Sequence, residues 1–180
     1  MFTHSYSFQS IHLLFSDAQP QTFSGNGHLF WTGTGVGIGD SMSFDDCVAK
    51  SETVLGGLQG YLATITTESE LVFVVNTMGI RNAWISLTDA TEEGTFRFIS
   101  GPEAGTQLVP PSGFWASGEP NNGAGSEDCA NIDSNGVVND NNCNSNFACL
   151  IELQYSADAS AASNHCKRMS GKLIYFFMLI

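Results

Sequence analysis

Gly118-Glu119-Pro120-Asn121-Asn122 is the stretch on which this chain turns; Glu127-Asp128-Cys129 and then Asn139-Asp140 follow it. Glu119, Asn121, Glu127, Asn139 and Asp140 offer five side-chain oxygens, and Asp140 or its backbone offers a sixth. Ca²⁺ takes about 6–8 oxygen ligands at roughly 2.3–2.6 Å, from carboxylates, amides and backbone carbonyls. The remaining positions would fall to water or to ligand hydroxyls. A cis Glu119–Pro120 bond would turn the flanking side chains to one side, and cis bonds are essentially confined to X–Pro. A Cys129–Cys143 bridge would hold the segment carrying Asn139 and Asp140 beside Glu127. Each piece alone is ordinary loop chemistry, since Glu-Pro-Asn-Asn-Gly makes a good turn by itself. Three pieces at compatible spacing, bracketed by cysteines, point to a hard-cation site.

The composition around this stretch agrees. The chain has 180 residues, room for one ordinary domain, and 42% of them are apolar, enough for a sizeable core. Charged residues are only 13%, with 18 acids against 6 bases and a net charge of −12. Lys167, Arg168 and Lys172 lie near the end, so the chain up to Cys166 has only Lys50, Arg81 and Arg97 against its acids. Such a surface repels phosphate backbones and excludes nucleic acid as a partner. Four of the five cysteines (Cys47, Cys129, Cys143, Cys149) fall in the well-patterned region and Cys166 in the tail. With no C-x-x-C pair, a zinc ribbon or a thioredoxin-type site is disfavoured; two disulfides or buried free thiols remain. No run reaches the roughly 20 apolar residues of a membrane helix. The longest is Leu173–Ile180. Both ends read as the edges of a fragment, and no basic n-region marks a signal peptide.

Residues 1–26 read as a leader or linker, 27–155 as the domain, and 156–180 as a tail. His28–Trp31 predicts a short strand before the glycine-rich Gly33–Gly39. Ser43 with Asp46 is a capping pattern; Phe44, Cys47, Val48, Ser51 and Leu55 then form one buried helical stripe, and Gly56-Gly57 ends it. Tyr61–Thr66 predicts a strand. Thr67 with Glu70 caps a second helix that turns Leu71, Val74, Val75 and Met78 inward. Trp84–Leu87 and Thr95–Ile99 predict strands about a turn at Glu93-Gly94, before a long loop over 101–126. Phe147–Gln154 alternates, with Phe147, Cys149, Ile151 and Leu153 on one face. Helices early, strands late and a long polar loop give an α+β domain.

Several motifs resemble the C-type lectin domains: Gly60-Tyr61-Leu62-Ala63-Thr64-Ile65, Trp84-Ile85-Ser86-Leu87-Thr88-Asp89, Glu93-Gly94-Thr95-Phe96, the Glu119-Pro120-Asn121 and Glu127-Asp128-Cys129 pieces, Asn139-Asp140 and Glu152, in that family's order over roughly residues 27–155. The resemblance implies two helices packed on small antiparallel sheets with a long calcium-binding loop. It implies that Glu119, Asn121, Glu127, Asn139 and Asp140 hold the principal Ca²⁺ and that two vicinal equatorial hydroxyls of a glycan complete its shell. Glu119, Asn121, Glu127 and Asn139 would also hydrogen-bond the sugar. The E-P-N order resembles the subgroup preferring mannose, glucose, fucose and N-acetylglucosamine. An auxiliary Ca²⁺ would fall at Asp89, Glu93, Glu127 and Asp128, with Asn122 in place of an aspartate. An extracellular or cell-surface setting, with oligomers or further domains for avidity, is implied too.

Three departures from the pattern stand out. Val138 replaces a tryptophan, which predicts looser packing under the site. Phe96 and Phe98 replace a W-x-W, a tolerable apolar swap. The family's long-range disulfide aligns with Ser51 and Ile151, neither of them cysteine. Cys47 and Cys149 lie one helical turn and two strand residues away on the same faces, so a Cys47–Cys149 bridge is expected in its place. Cys129–Cys143 is the second expected bridge.

His4, His12, His28 and His165 lack metal spacing and read as surface or linker residues. Trp115 reads as a core anchor for the long loop. No nucleophile elbow or dinucleotide loop with its βαβ unit is present, so an enzyme is not expected. A calcium-dependent lectin module is the leading expectation. A calcium-stabilised module binding protein or ice, or a degenerate structural domain, are the alternatives.

Overall fold

Ser43 ends an extended segment and starts a helix, because its hydroxyl accepts the Asp46 N–H at 3.3 Å and satisfies one of the free donors of the first turn. The computed structural model describes residues 21–25, 27–31, 41–52 and 58–155. Gly33–Gly39, Leu55, Gly56-Gly57, His4, His12, His165, Cys166, Leu173–Ile180 and most of the expected leader lie outside the described residues.

In chain order the elements are β1 (Gln21–Thr22), β2 (Leu29–Trp31), α1 (Phe44–Ser51), β3 (Leu58–Leu62), α2 (Glu68–Val72), β4 (Ala83–Thr88), β5 (Arg97–Phe98), β6 (Cys129–Ile132), β7 (Val138–Asn141), β8 (Ala148–Cys149) and β9 (Ile151–Tyr155). One sheet runs β1-β2-β9-β3, all antiparallel. The other runs β5-β4-β6-β7, and β8 lies parallel beside β4. This is the C-type lectin-like α+β arrangement that the motifs imply.

Thr67 and Glu70 cap α2 reciprocally. Glu70 is buried, and its Oε2 also accepts from Thr66 N and Thr66 Oγ1. The helix then widens into a π-helical turn, Phe73–Thr77, which keeps Val74 and Val75 buried. Ala83, Ile85 and Leu87 of β4 enter one hydrophobic cluster with Ile65, Phe96, Phe98, Phe114, Ile132 and Val138. Trp84 faces the other cluster with Phe44, Cys47, Cys149, Ile151 and Leu153. A strand buried on both faces makes β4 the spine of the domain.

Several expectations shift. Gln21 and Thr22 pair with Phe30 and Leu29, so the sheet begins inside the segment read as leader. The strand expected at Tyr61–Thr66 lies at Leu58–Leu62, because Ala63 leaves the ladder to bond Leu150 and Ser86 instead. The strand expected at 147–154 is broken at Leu150, which turns into the first cluster while its neighbours face the second. His28 is no free surface residue: it is half-buried and its Nδ1 meets the buried Glu152 carboxylate. Val138 is fully buried, with 0% exposure. Main-chain bonds to Phe114 and Ala116 hold the strand at that residue.

Cys47 and Cys149 form the expected bridge, with Cα atoms 5.4 Å apart. It joins α1 to β8. Cys129–Cys143 is the second disulfide.

Candidate functional site

The long loop, residues 101–126, returns along the outer edge of β7. Trp115 pairs with Val138, whose carbonyl accepts the Ala116 N–H at 2.8 Å. Behind this contact Trp115 meets Phe114 edge to face and Phe96 at a tilt, which anchors the loop as expected of Trp115. The Glu119–Pro120 bond is cis, as the sequence suggests. Beyond it, the Asn121 and Asn122 N–H groups donate to the two oxygens of Asp140, at 3.2 and 2.7 Å.

Asp140 is buried, with 1% exposure, and lies opposite Ala130 on the β6–β7 hairpin. Glu119 reaches the same place. Its Oε1 accepts from Asn121 Nδ2 at 2.8 Å, while its Oε2 is buried with no hydrogen-bond partner. Loss of water, then the side-chain contact with Asp140 and its like charge, holds the Glu119 carboxyl above the ordinary range against the relief given by Asn121. Glu127 closes the loop from the other side: its Oε2 accepts the Gly123 N–H at 2.6 Å, and its own N–H donates to Asn122 Oδ1 at 3.1 Å.

Glu119, Asn121 and Asp140 are thus joined directly, and Glu127 joins them through Asn122 and Gly123. Asn139 is Asp140's neighbour on β7, opposite Asn131. Among the described residues no three His, Cys, Asp or Glu side chains converge tightly enough to clasp an ion by themselves. Two of the five expected donors are amides, and the Asp140 and Glu127 carboxylates are turned onto backbone N–H groups. The donor chemistry nevertheless fits a hard cation, which would relieve a carboxylate oxygen buried without a donor beside the buried Asp140 carboxylate.

A second acidic corner adjoins the first. Asp89 is buried; its Oδ2 accepts the Gly94 N–H at 2.8 Å and its Oδ1 has no partner. Burial, then the charges of Glu93 and Asp128, pushes its carboxyl up against the relief that the Gly94 N–H gives. Thr88 and Asp89 both bond the Asp128 carbonyl. Asn122 Nδ2 reaches Glu93 Oε2 at 2.5 Å. Of the five expected auxiliary residues, Asn122 bonds Glu93 and Glu127, and Asp89 bonds the main chain of Asp128. The sequence reading missed two features here: Gly123, whose bare N–H holds Glu127, and the connections of Asn122. Adjacent Asn-Gly marks a tight turn, but nothing in the sequence says which carboxylate the turn embraces.

An α+β domain with two disulfides, whose polar loop is bound to a sheet edge through buried carboxylates, is of the C-type lectin class. The family model for the lectin C-type domain matches residues 40–151. Lectin BRA-3 of Megabalanus rosa is 30% identical over 71% of this chain and 74% of its own length. The C-type lectin domain family 4 member K of Homo sapiens is 33% identical over 53% of this chain and 29% of itself. Halomucin of Haloquadratum walsbyi is 34% identical over 54% of this chain but only 1% of its own length, so the chain spans a small part of several relatives. In fold it is similar to the C-type lectin CEL-I from Cucumaria echinata, with TM-score 0.56 and 20% identity over 72% of this chain and 91% of that one. The human scavenger receptor C-type lectin carbohydrate-recognition domain gives TM-score 0.57 and 24% identity over 75% and 95%. The chain belongs to the C-type lectin domain family. Its matched domain is of the lectin type. Among the described residues no helix is long and apolar enough to cross a membrane.

Proposed function

We propose that the domain is a calcium-dependent carbohydrate-binding module whose principal ion is held by Glu119, Asn121, Glu127, Asn139 and Asp140. The observation that carries this reading is the buried, unpartnered Oε2 of Glu119 set against Asp140. Ca²⁺ in that place supplies the positive centre that the carboxylates lack and takes two vicinal equatorial hydroxyls of a hexose into its shell. The carboxylates of Glu119 and Glu127 accept hydrogen bonds from those hydroxyls, and the amides of Asn121 and Asn139 donate to them. Each hydroxyl is then a metal ligand, a donor and an acceptor together. The Glu119-Asn121 order supports mannose, glucose, fucose or N-acetylglucosamine as the sugar. Two disulfides support an extracellular or cell-surface setting. A single shallow site would bind weakly, so multiple copies are expected to act together.

Thermal unfolding of the full chain with calcium and with EDTA tests the metal. An ion that binds only the folded state stabilises by about 2.7 kcal/mol at a hundredfold excess over Kd. Calcium should raise the melting temperature, and Glu119→Gln should abolish most of the rise. Displacement from a mannose-bearing matrix by free mannose tests the sugar. A melting curve indifferent to calcium would end the proposal.

A further inference from the structure

Asn122 touches three other segments at once. Its backbone N–H donates to Asp140 Oδ2, its Oδ1 accepts the Glu127 N–H, and its Nδ2 donates to Glu93 Oε2. Its φ of +48° lies in the left-handed region, which asparagine tolerates better than most side chains do. A carboxamide carries one acceptor oxygen and one donor NH₂, and here both ends are engaged. Glu93 sits in the turn between β4 and β5, so this bond ties that turn to the long loop. Glu127 then closes the ring by returning its carboxylate to the Gly123 N–H.

We propose that Asn122 and Glu93 form a positioning pin that sets Glu127 and Asp140 for the principal ion, neither residue being itself a ligand of that ion. The pin's role toward the ion rests on the calcium reading above. Its physical basis is ordering: residues 122–127 are fastened at both ends before an ion arrives, so less conformational freedom is lost on binding. Aspartate at 122 would keep the acceptor for Glu127 but lose the donor, and would set a carboxylate against Glu93.

Asn122→Gly keeps the backbone N–H and accepts a positive φ, while deleting both side-chain bonds. Glu93→Gln keeps an oxygen for Asn122 to donate to, and Glu93→Ala removes it. In EDTA, amide exchange at Glu127 should speed up about tenfold in Asn122→Gly, roughly the loss of one hydrogen bond. In calcium titrations of the full chain, Asn122→Gly and Glu93→Ala should each weaken Kd about tenfold, while Glu93→Gln stays within about threefold. The double variant should be no weaker than Asn122→Gly, because that variant already lacks the bond that Glu93→Ala removes. Unchanged Glu127 exchange overturns the pin. So does Glu93→Gln falling as far as Glu93→Ala, which would make Glu93 an ion ligand. The exchange measurement needs no metal, so a wild-type chain that took up no calcium would sink the calcium reading while the exchange result still decided the pin.

Discussion

Removing each disulfide in turn should separate what holds the domain together from what shapes its site. Cys47–Cys149 spans 102 positions of sequence and Cys129–Cys143 spans 14. If cross-links act by restricting the unfolded chain, the first contributes about 4.7 kcal/mol and the second about 3 kcal/mol at 25 °C. The paired variant Cys47→Ala/Cys149→Ala should therefore lose about 2 kcal/mol more than Cys129→Ala/Cys143→Ala. The site should respond in the opposite order. Asn139 and Asp140 lie within the short loop, and Glu127 stands two residues before it, so opening Cys129–Cys143 frees the segment that presents them. Urea unfolding followed by tryptophan fluorescence gives the stabilities, since Trp84 packs against the cystine-bearing cluster. Calcium titration gives the affinities. Greater destabilisation from the short-loop variant would refute the loop-entropy argument. Calcium affinity untouched by opening Cys129–Cys143 would refute the clamp.

A Cβ at Gly123 would come within 2.5 Å of Glu127 Oε2, so Gly123→Ala should displace that carboxylate and weaken calcium binding about tenfold or more, read by titration. Asn139→Asp should weaken sugar binding by deleting an NH₂ donor while calcium stays bound; equal loss of both would contradict the role assigned to Asn139. Val138→Ala removes two methyl groups from a sealed position and should cost about 2 kcal/mol in urea unfolding. Glu152 is buried, and loss of water raises its carboxyl pKa against the relief given by Thr64 and His28. The folded state therefore holds this proton more tightly than the unfolded one. Its contribution to stability is whole below the ordinary value of 4.5 and is lost as pH rises through the raised folded value. Glu152→Gln should flatten that fall in a series of melts between pH 4 and 7; an unchanged slope would remove Glu152 as its source.

Both helices were legible because their starts are written in capping residues and their inner faces in a 3.6-residue period: Ser43 and Asp46 for α1, Thr67 and Glu70 for α2. The displaced bridge was legible too, because Cys47 and Cys149 keep the faces of Ser51 and Ile151, all four of them buried. The β6–β7 hairpin was not. Cys129–Ile132 and Val138–Asn141 are four residues each, and Asn131, Asn139 and Asp140 break the apolar alternation that marks a strand. The same residues that announce the site conceal the strand carrying it. His28 was misread for a different reason: its partner Glu152 lies 124 positions away, and pairing across β2 and β9 has no local trace. The five residues proposed for the principal ion stand out by their spacing, whereas the way Gly123 and Asn122 hold Glu127 and Asp140 is a matter of main-chain direction, which composition does not encode.

Strand β7 lies at the end of its sheet, where a row of unpaired main-chain groups would ordinarily invite a neighbouring molecule to add a strand. Phe114 and Ala116 occupy those groups at Val138, and the Asn121 and Asn122 N–H groups engage the Asp140 side chain farther along. One segment of chain thereby shields the sheet from self-association while presenting Glu119 and Asn121. Solubility and the proposed recognition would then depend on the same stretch of loop. A variant that loosens them should announce itself first as a protein that sticks to its own kind, visible as rising light scattering, before any change in helix content.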